Sequence, residues 1–284
     1  MATIEPDDQI QEIRWKRGDR VTLRALVTND DGVDSEGLRL LAIAAVQSGF
    51  DVTVAAPLRD SSGSSAALRA MQSDGKVVIE PRTLEGLEEV PVHGVAAAPA
   101  FIVLIARRGA FGDPPDIVLS GINRGANTGN AILHSGTVGA ALTGGSEGSH
   151  GLAVSIAGGE PVHWQTAAAV ARTLMPGLAG LPRAVVLNVN VPDLPLAELR
   201  GLRTARLARF GVVQTKVKEV GKGYVKLGIA ERDGELEPGT DSALIRDGYA
   251  AITALTPICE RADVDLSWLP SSFDGVAAAG DRRL

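Results

Sequence analysis

Val21, Leu23, Ala25 and Val27 alternate into an apolar strand that stops at Thr28-Asn29-Asp30-Asp31-Gly32. A period of two marks a strand with a buried face, and the Asp/Gly stretch marks the turn that ends it. Leu38, Leu41, Ala42, Ala45 and Val46 then recur at helical spacing, with Asp34 or Ser35 placed to cap the helix and Gly49 to close it. Alternation returns over 51–56 through Val52 and Val54 until Pro57. Strand, helix, strand in this order implies a parallel pair with a right-handed crossover, whose working loops lie at the carboxyl ends of the strands.

The same grammar continues along the chain. It predicts helices over 98–107, 137–143 and 166–174, and strands over 116–119, 152–156 and 184–191, the last ended by Pro192. From Gly201 onward the pattern shortens into alternating segments such as 224–229 and 250–255, which read as hairpin arms. The expected fold is therefore α/β: a Rossmann-like, doubly wound, mostly parallel sheet in three layers, with a β-rich C-terminal arm. Its expected divisions are a polar N-terminal extension over 1–20, the core over 21–195, an arm over 196–265 that returns to the core, and a tail over 266–284.

Composition narrows the class. The chain has 284 residues, 45% hydrophobic and 22% charged, which excludes disordered and collagen-like sequences. A net charge of −6 without a dense Lys/Arg stretch argues against a nucleic-acid polymer as partner. The longest apolar run, 95–106, contains Pro99 and falls short of the roughly 20 residues that cross a bilayer. Residues 1–18 carry Glu5, Asp7, Asp8 and Glu12 and do not read as a secretory signal. A single cysteine, Cys259, excludes an intrachain disulfide, suits the cytoplasm and reads as a small core residue. The chain is rich in glycine, with 33, and poor in aromatics, with 5 Phe, 3 Trp and 2 Tyr. That balance suits a scaffold whose function sits in glycine-rich loops.

Three such loops follow predicted strands. Asn29-Asp30-Asp31-Gly32 reads either as an ordinary turn that caps a helix or as adjacent carboxylates held together by a cation. Arg59-Asp60-Ser61-Ser62-Gly63-Ser64-Ser65 offers hydroxyls and backbone N–H groups, and its plain alternative is a surface linker. The third runs from Ser120-Gly121-Ile122-Asn123-Arg124-Gly125 through Asn127 and Gly129 to His134-Ser135-Gly136-Thr137, where a helix N-terminus could cradle phosphate. Together these loops supply carboxylate, hydroxyl and amide oxygens, hard donors that suit Mg²⁺, Mn²⁺ or Ca²⁺ and not Zn²⁺.

These motifs resemble, in order, those of the SurE family of survival nucleotidases. The later segments Leu187-Asn188-Val189-Asn190-Val191-Pro192, Pro238-Gly239-Thr240-Asp241 and Gly248-Tyr249 resemble that family as well. The resemblance implies a metal-dependent phosphomonoesterase acting on nucleoside 5′-monophosphates, or on 3′-monophosphates, with an arm that builds a homodimer or homotetramer. It places one divalent cation on Asp30, Asp31, Ser62 and Asn123, with Asp30 and Asp31 also the catalytic pair. Asn29, Asn127, Ser135, Gly136 and Thr137 fall around the phosphate or substrate. Two departures, Val33-Asp34-Ser35-Glu36 and Ala97-Ala98-Pro99-Ala100-Phe101, leave room for a phosphatase specialised for another phosphorylated small molecule.

Other readings compete. Gly144-Gly145-Ser146-Glu147-Gly148 satisfies the G-x-S-x-G pattern of serine hydrolases, but it ends a predicted helix and lacks the preceding strand. Asp263 and Asp265 could suggest a phospho-aspartate chemistry, yet no apolar strand precedes them. A non-catalytic nucleotide-binding protein would use the same loops. His134 is a candidate for proton transfer and Arg124 for a phosphate contact. His93, His150 and His163 have no ligand-like spacing, and Phe101 is the ring nearest the motifs for base stacking.

Overall fold

The computed structural model describes residues 22–70, 72–73, 76–182, 184–209, 213–221, 224–231 and 236–260, with 263–265, 267 and 269 beyond. The N-terminal extension and nearly all of the tail lie outside this set. In chain order the strands are β1 (Arg24–Thr28), β2 (Asp51–Pro57), β3 (Gln72–Ser73), β4 (Lys76–Val77), β5 (Ile79–Arg82), β6 (Val92–Val95), β7 (Ile117–Arg124), β8 (His150–Ile156), β9 (Val186–Val191), β10 (Leu202–Thr204), β11 (Val213–Gly221), β12 (Tyr224–Glu231) and β13 (Ala250–Leu255). The helices are α1 (Glu36–Gln47), α2 (Pro99–Arg107), α3 (Gly136–Ser146), α4 (Trp164–Leu178) and α5 (Asp241–Arg246).

The main sheet has nine strands in the order β10-β13-β9-β8-β7-β1-β2-β6-β5. From β6 across to β9 every pair is parallel. The expected doubly wound α/β sheet is therefore present. Parallel strands need both faces covered, and alternation along β1 shows how. Ala25 and Val27 face the cluster built with α1 and α4, while Leu26 faces the cluster built with α2 and α3. Close approach of α3 requires glycine: a Cβ on Gly144 would lie 2.6 Å from Val118 Cγ2.

Three elements differ from the sequence expectation. Segment 250–255 is no hairpin arm but an inner strand, β13, antiparallel to β9 and parallel to β10. Its alternating pattern serves a sheet interior equally well, and only the partners distinguish the two. The hairpin is instead β11–β12, paired antiparallel to each other in a separate two-stranded sheet. Helix α4 runs past the expected stop at Leu174 and contains Pro176, because Met175 and Leu178 are still buried against the core.

The third difference shapes the site. Strand β7 extends beyond Leu119 to Arg124, and its pairing with β8 shifts register between Ser120 and Asn123. Ser120 lies opposite Ala153 and Asn123 opposite Ser155, so β7 advances three residues while β8 advances two. This bulge reverses the side-chain parity of β7. Asn123 thereby shares the sheet face of Ala153, which packs on Val138 and Ala141 of α3.

Candidate functional site

Strands β1 and β7 are neighbours, but successive crossovers leave β1 toward β2 and β7 toward β8, in opposite directions. Their carboxyl ends form the switch-point crevice where ligands bind in open α/β sheets. The turn after β1 and the loop after β7 both open there.

Asn29 builds the first turn from inside. Its amide Nδ2 donates to Gly32 O at 3.0 Å and to Ser35 Oγ at 2.6 Å, and its Oδ1 accepts from Gly32 N–H. Asn29 is fully buried. The side chain expected near substrate is thus bound within the turn and shapes it. Ser35 caps α1 by accepting from Leu38 N–H, as the capping pattern implied.

The turn presents Asp30 and Asp31. Asp30 is 4% exposed, and Thr137 Oγ1 donates to its Oδ1 at 2.5 Å. Burial raises its pKa above the usual carboxylate range, against the hydrogen bonds from Thr137, and the Asp60 charge raises it further. Asp31 is pushed up to about 6, first by burial and then by the Asp30 charge, against the backbone N–H of Arg124. Among the described residues, no Lys, Arg or His side chain forms an ion pair with either carboxylate.

The second loop joins through the backbone: Ser61 N–H donates to Asp30 O at 2.7 Å, and Val33 N–H donates to Pro57 O at 2.8 Å. Ser62 is exposed on this loop. Its hydroxyl and its backbone N–H donate to Asp60 Oδ1 at 2.6 and 2.7 Å. Asp60, which sequence reasoning left without a role, holds Ser62, and its charge acts on Asp30 and Asp31. The signal was present in the motif Arg59-Asp60-Ser61-Ser62 but is indistinguishable there from a polar linker.

The third loop closes the site. Asn123 Nδ2 donates to Gly125 O at 2.7 Å. Asn127 is held by its backbone, with its N–H donating to Asn190 Oδ1 and its carbonyl accepting from both Asn188 and Asn190 amides, while its own amide donates to Ser155 Oγ. Asp241, fully buried, accepts from Gly129 N–H on one oxygen and from Ala208 and Ser242 N–H groups on the other. Asn188, Asn190 and Asp241 thus fix the loop from strand β9 and helix α5. Their sequence motifs were visible, but their partners lie 60 or more residues away.

Helix α3 begins against Asp30. Ser135 caps it by accepting from Val138 N–H at 3.0 Å. A Cβ on Gly136 would lie 2.7 Å from both Asp30 Oδ2 and Ser64 Oγ, so only glycine lets the helix end meet the carboxylate. Thr137, expected around phosphate, gives its hydroxyl proton to Asp30 Oδ1. The buried hydroxyls of Thr28, Ser64 and Ser120 have no hydrogen-bond partner among the described residues. Thr28 and Ser120 are register neighbours beneath this crevice. Buried carboxylates without a cationic partner suit a hard, oxygen-seeking cation.

The other candidates separate from this cluster. Ser146 ends α3, exposed, with its hydroxyl on Thr143 O, so no nucleophile elbow exists there. Asp265 accepts from Ser267 N–H in an exposed turn. His134 is exposed at the end of the 3-10 turn that precedes Ser135. The Arg124 side chain pairs with Glu160 and reaches Gly159 O. Phe101 packs against the cluster around Leu26, and Cys259 is exposed, not core. No helix among the described residues is long and apolar enough to cross a membrane.

Fold and geometry together define an α/β protein with a desolvated carboxylate pair at the end of β1, one member of which meets the N-terminus of α3. The chain belongs to the SurE family: the family described as Survival protein SurE matches residues 25–213. A relative from Stenotrophomonas maltophilia (strain K279a), 5′-nucleotidase SurE, is 37% identical over 92% of this chain and 99% of its own. The 5′-nucleotidase SurE of Synechococcus sp. (strain JA-3-3Ab) is 37% identical over 83% of this chain and 92% of its own. The crystal structure of SurE protein from Aquifex aeolicus superposes with a TM-score of 0.70 at 29% identity, covering 86% of this chain and 98% of that one.

Proposed function

We propose that this protein is a divalent-metal-dependent phosphomonoesterase that hydrolyses nucleoside 5′-monophosphates, the activity its relatives are named for. The observation that carries the reading is the desolvated Asp30–Asp31 pair, without a cationic partner, at the N-terminus of α3. Asp30, Asp31, the Ser62 hydroxyl and Asn123 Oδ1 would hold one Mg²⁺ or Mn²⁺, with Ca²⁺ a weaker fit to a phosphoryl site. When bound, such an ion supplies Lewis-acid polarisation and neutralises charge on the phosphoryl group.

The chain's own groups do the rest. Thr137 fixes the Asp30 carboxylate through its hydroxyl. Asp31 or Asp30 would accept the proton of the attacking water. Gly136, Ser135 and Asn127 would hold the remaining phosphoryl oxygens, and positioning dominates phosphoryl transfer. The β11–β12 hairpin is the proposed contact of a homodimer or homotetramer, and the cytoplasm is the proposed compartment.

The test is phosphate release from nucleoside 5′- and 3′-monophosphates, sugar phosphates and other phosphomonoesters with Mg²⁺, Mn²⁺ or Ca²⁺. Release from 5′-monophosphates with Mg²⁺ or Mn²⁺, abolished by EDTA, is expected. No release with any metal, or release indifferent to EDTA, overturns the proposal. Preference for a non-nucleotide ester would favour the specialised phosphatase.

A further inference from the structure

We propose that Asp60 is a positioning residue for the cation site and acts through the Ser62 hydroxyl. The inference rests on the reading of Ser62 as a ligand. A serine hydroxyl has one proton to donate and lone pairs to offer, and it ligates well only when that proton is directed elsewhere. Here Asp60 Oδ1 takes the Ser62 hydroxyl proton at 2.6 Å and the Ser62 backbone N–H at 2.7 Å. Two donors on one oxygen fix both the orientation of the hydroxyl and the turn that carries it. The loop is tied to the turn that carries the carboxylate pair by the Ser61 N–H to Asp30 O bond, which holds Ser62 next to that turn. Carboxylates that hold ligands in this way are worth about 10–100-fold in metal affinity.

The same contacts could shape the loop alone, or Asp60 could attract the cation by its charge. Mn²⁺ binding to the metal-free full chain, followed by the EPR signal of free Mn²⁺ without any substrate, separates these roles. Asp60→Ala is expected to weaken Mn²⁺ binding by about 10–100-fold. Asp60→Asn keeps an oxygen acceptor for both bonds and is expected to recover affinity to within about threefold of the parent. In a Ser62→Ala background, Asp60→Ala should add little, since the group it acts through is gone. Asp60→Asn as weak as Asp60→Ala would overturn orientation in favour of charge. Additive losses would overturn it in favour of loop shape or direct ligation. If Ser62→Ala binds Mn²⁺ like the parent while Asp30→Asn does not, the ligand reading of Ser62 itself has failed. Circular dichroism of each variant excludes simple unfolding.

Discussion

Aspartates stand at both ends of β1, and they are treated oppositely. At its amino end, Arg24 grips Asp116 with Nε and Nη2 at 3.0 Å each, adds its backbone N–H at 2.9 Å and reaches Asp113. Burial pushes Asp116 up, but the hydrogen bonds and charge of Arg24 prevail and its pKa falls below the usual range. At the carboxyl end, Asp30 and Asp31 are more deeply buried, lack an arginine, and both rise. One end of the strand satisfies its carboxylates internally, while the other leaves negative charge for something external to neutralise. A perturbed carboxylate marks a candidate functional site when its missing partner is the cause.

The largest effect expected from breaking this contrast is at the unpaired end. Asp30→Asn or Asp31→Asn should lower metal-dependent phosphate release by on the order of 10³-fold, since the metal contributes several kcal/mol. Circular dichroism should stay unchanged. Full activity in either variant would remove the carboxylate pair from the chemistry.

Gly136→Ala comes next. Its methyl would crowd Asp30 Oδ2 and Ser64 Oγ from 2.7 Å, displacing the helix end from the carboxylate. A loss of about 10–100-fold in kcat/KM is expected from a displacement of this size. Unaltered kinetics would mean that the close approach of α3 is dispensable.

The pH dependence of the metal-free protein sharpens the comparison without catalysis. A carboxyl whose folded-state pKa lies above the unfolded value stabilises the fold at low pH, and that contribution is lost as pH rises through the folded value. Asp31, raised from 3.8 to about 6, should therefore make stability in EDTA decline between those values. Asp31→Asn should flatten the decline and stabilise the metal-free protein by about 1 kcal/mol at pH 7, allowing for its partial exposure. Urea melts at pH 4.5 and 7 read both effects, and a variant less stable than the parent at pH 7 would contradict the desolvation argument.

The smallest change is expected at the paired end. Arg24→Met should cost about 1 kcal/mol or less in stability, the usual worth of a part-exposed ion pair. Mn²⁺ affinity should not move, because the two ends of β1 perform separate tasks. A shifted affinity would show that they are coupled.

Much of this was legible along the chain. Alternation and helical spacing located the opening βαβ unit, and Asn29-Asp30-Asp31-Gly32 stood out because polar residues interrupt an apolar strand at its carboxyl end. Ser135 and the glycine after it announced the start of α3. The bulge in β7 was not legible, because Gly121 reads equally well as the beginning of a loop, and the register with β8 decides otherwise. Nor were the internal partners of the polar groups: that Asn29 ties its own turn and that Thr137 bonds Asp30 shows only in three dimensions, and Asp60 looks like linker.

The sequence by itself determined the layer order, the glycine-rich loops at strand ends, and an oxygen-donor set suited to a hard cation. These follow from local periodicity and side-chain chemistry, which need no partner to be read. Tertiary structure alone decided that β13 is an inner strand, that the bulge turns Asn123 onto the face of α3, and that Asp30 and Asp31 are desolvated without a cation while Asp116 is paired. Register, burial and partnership are properties of contacts between segments distant in sequence.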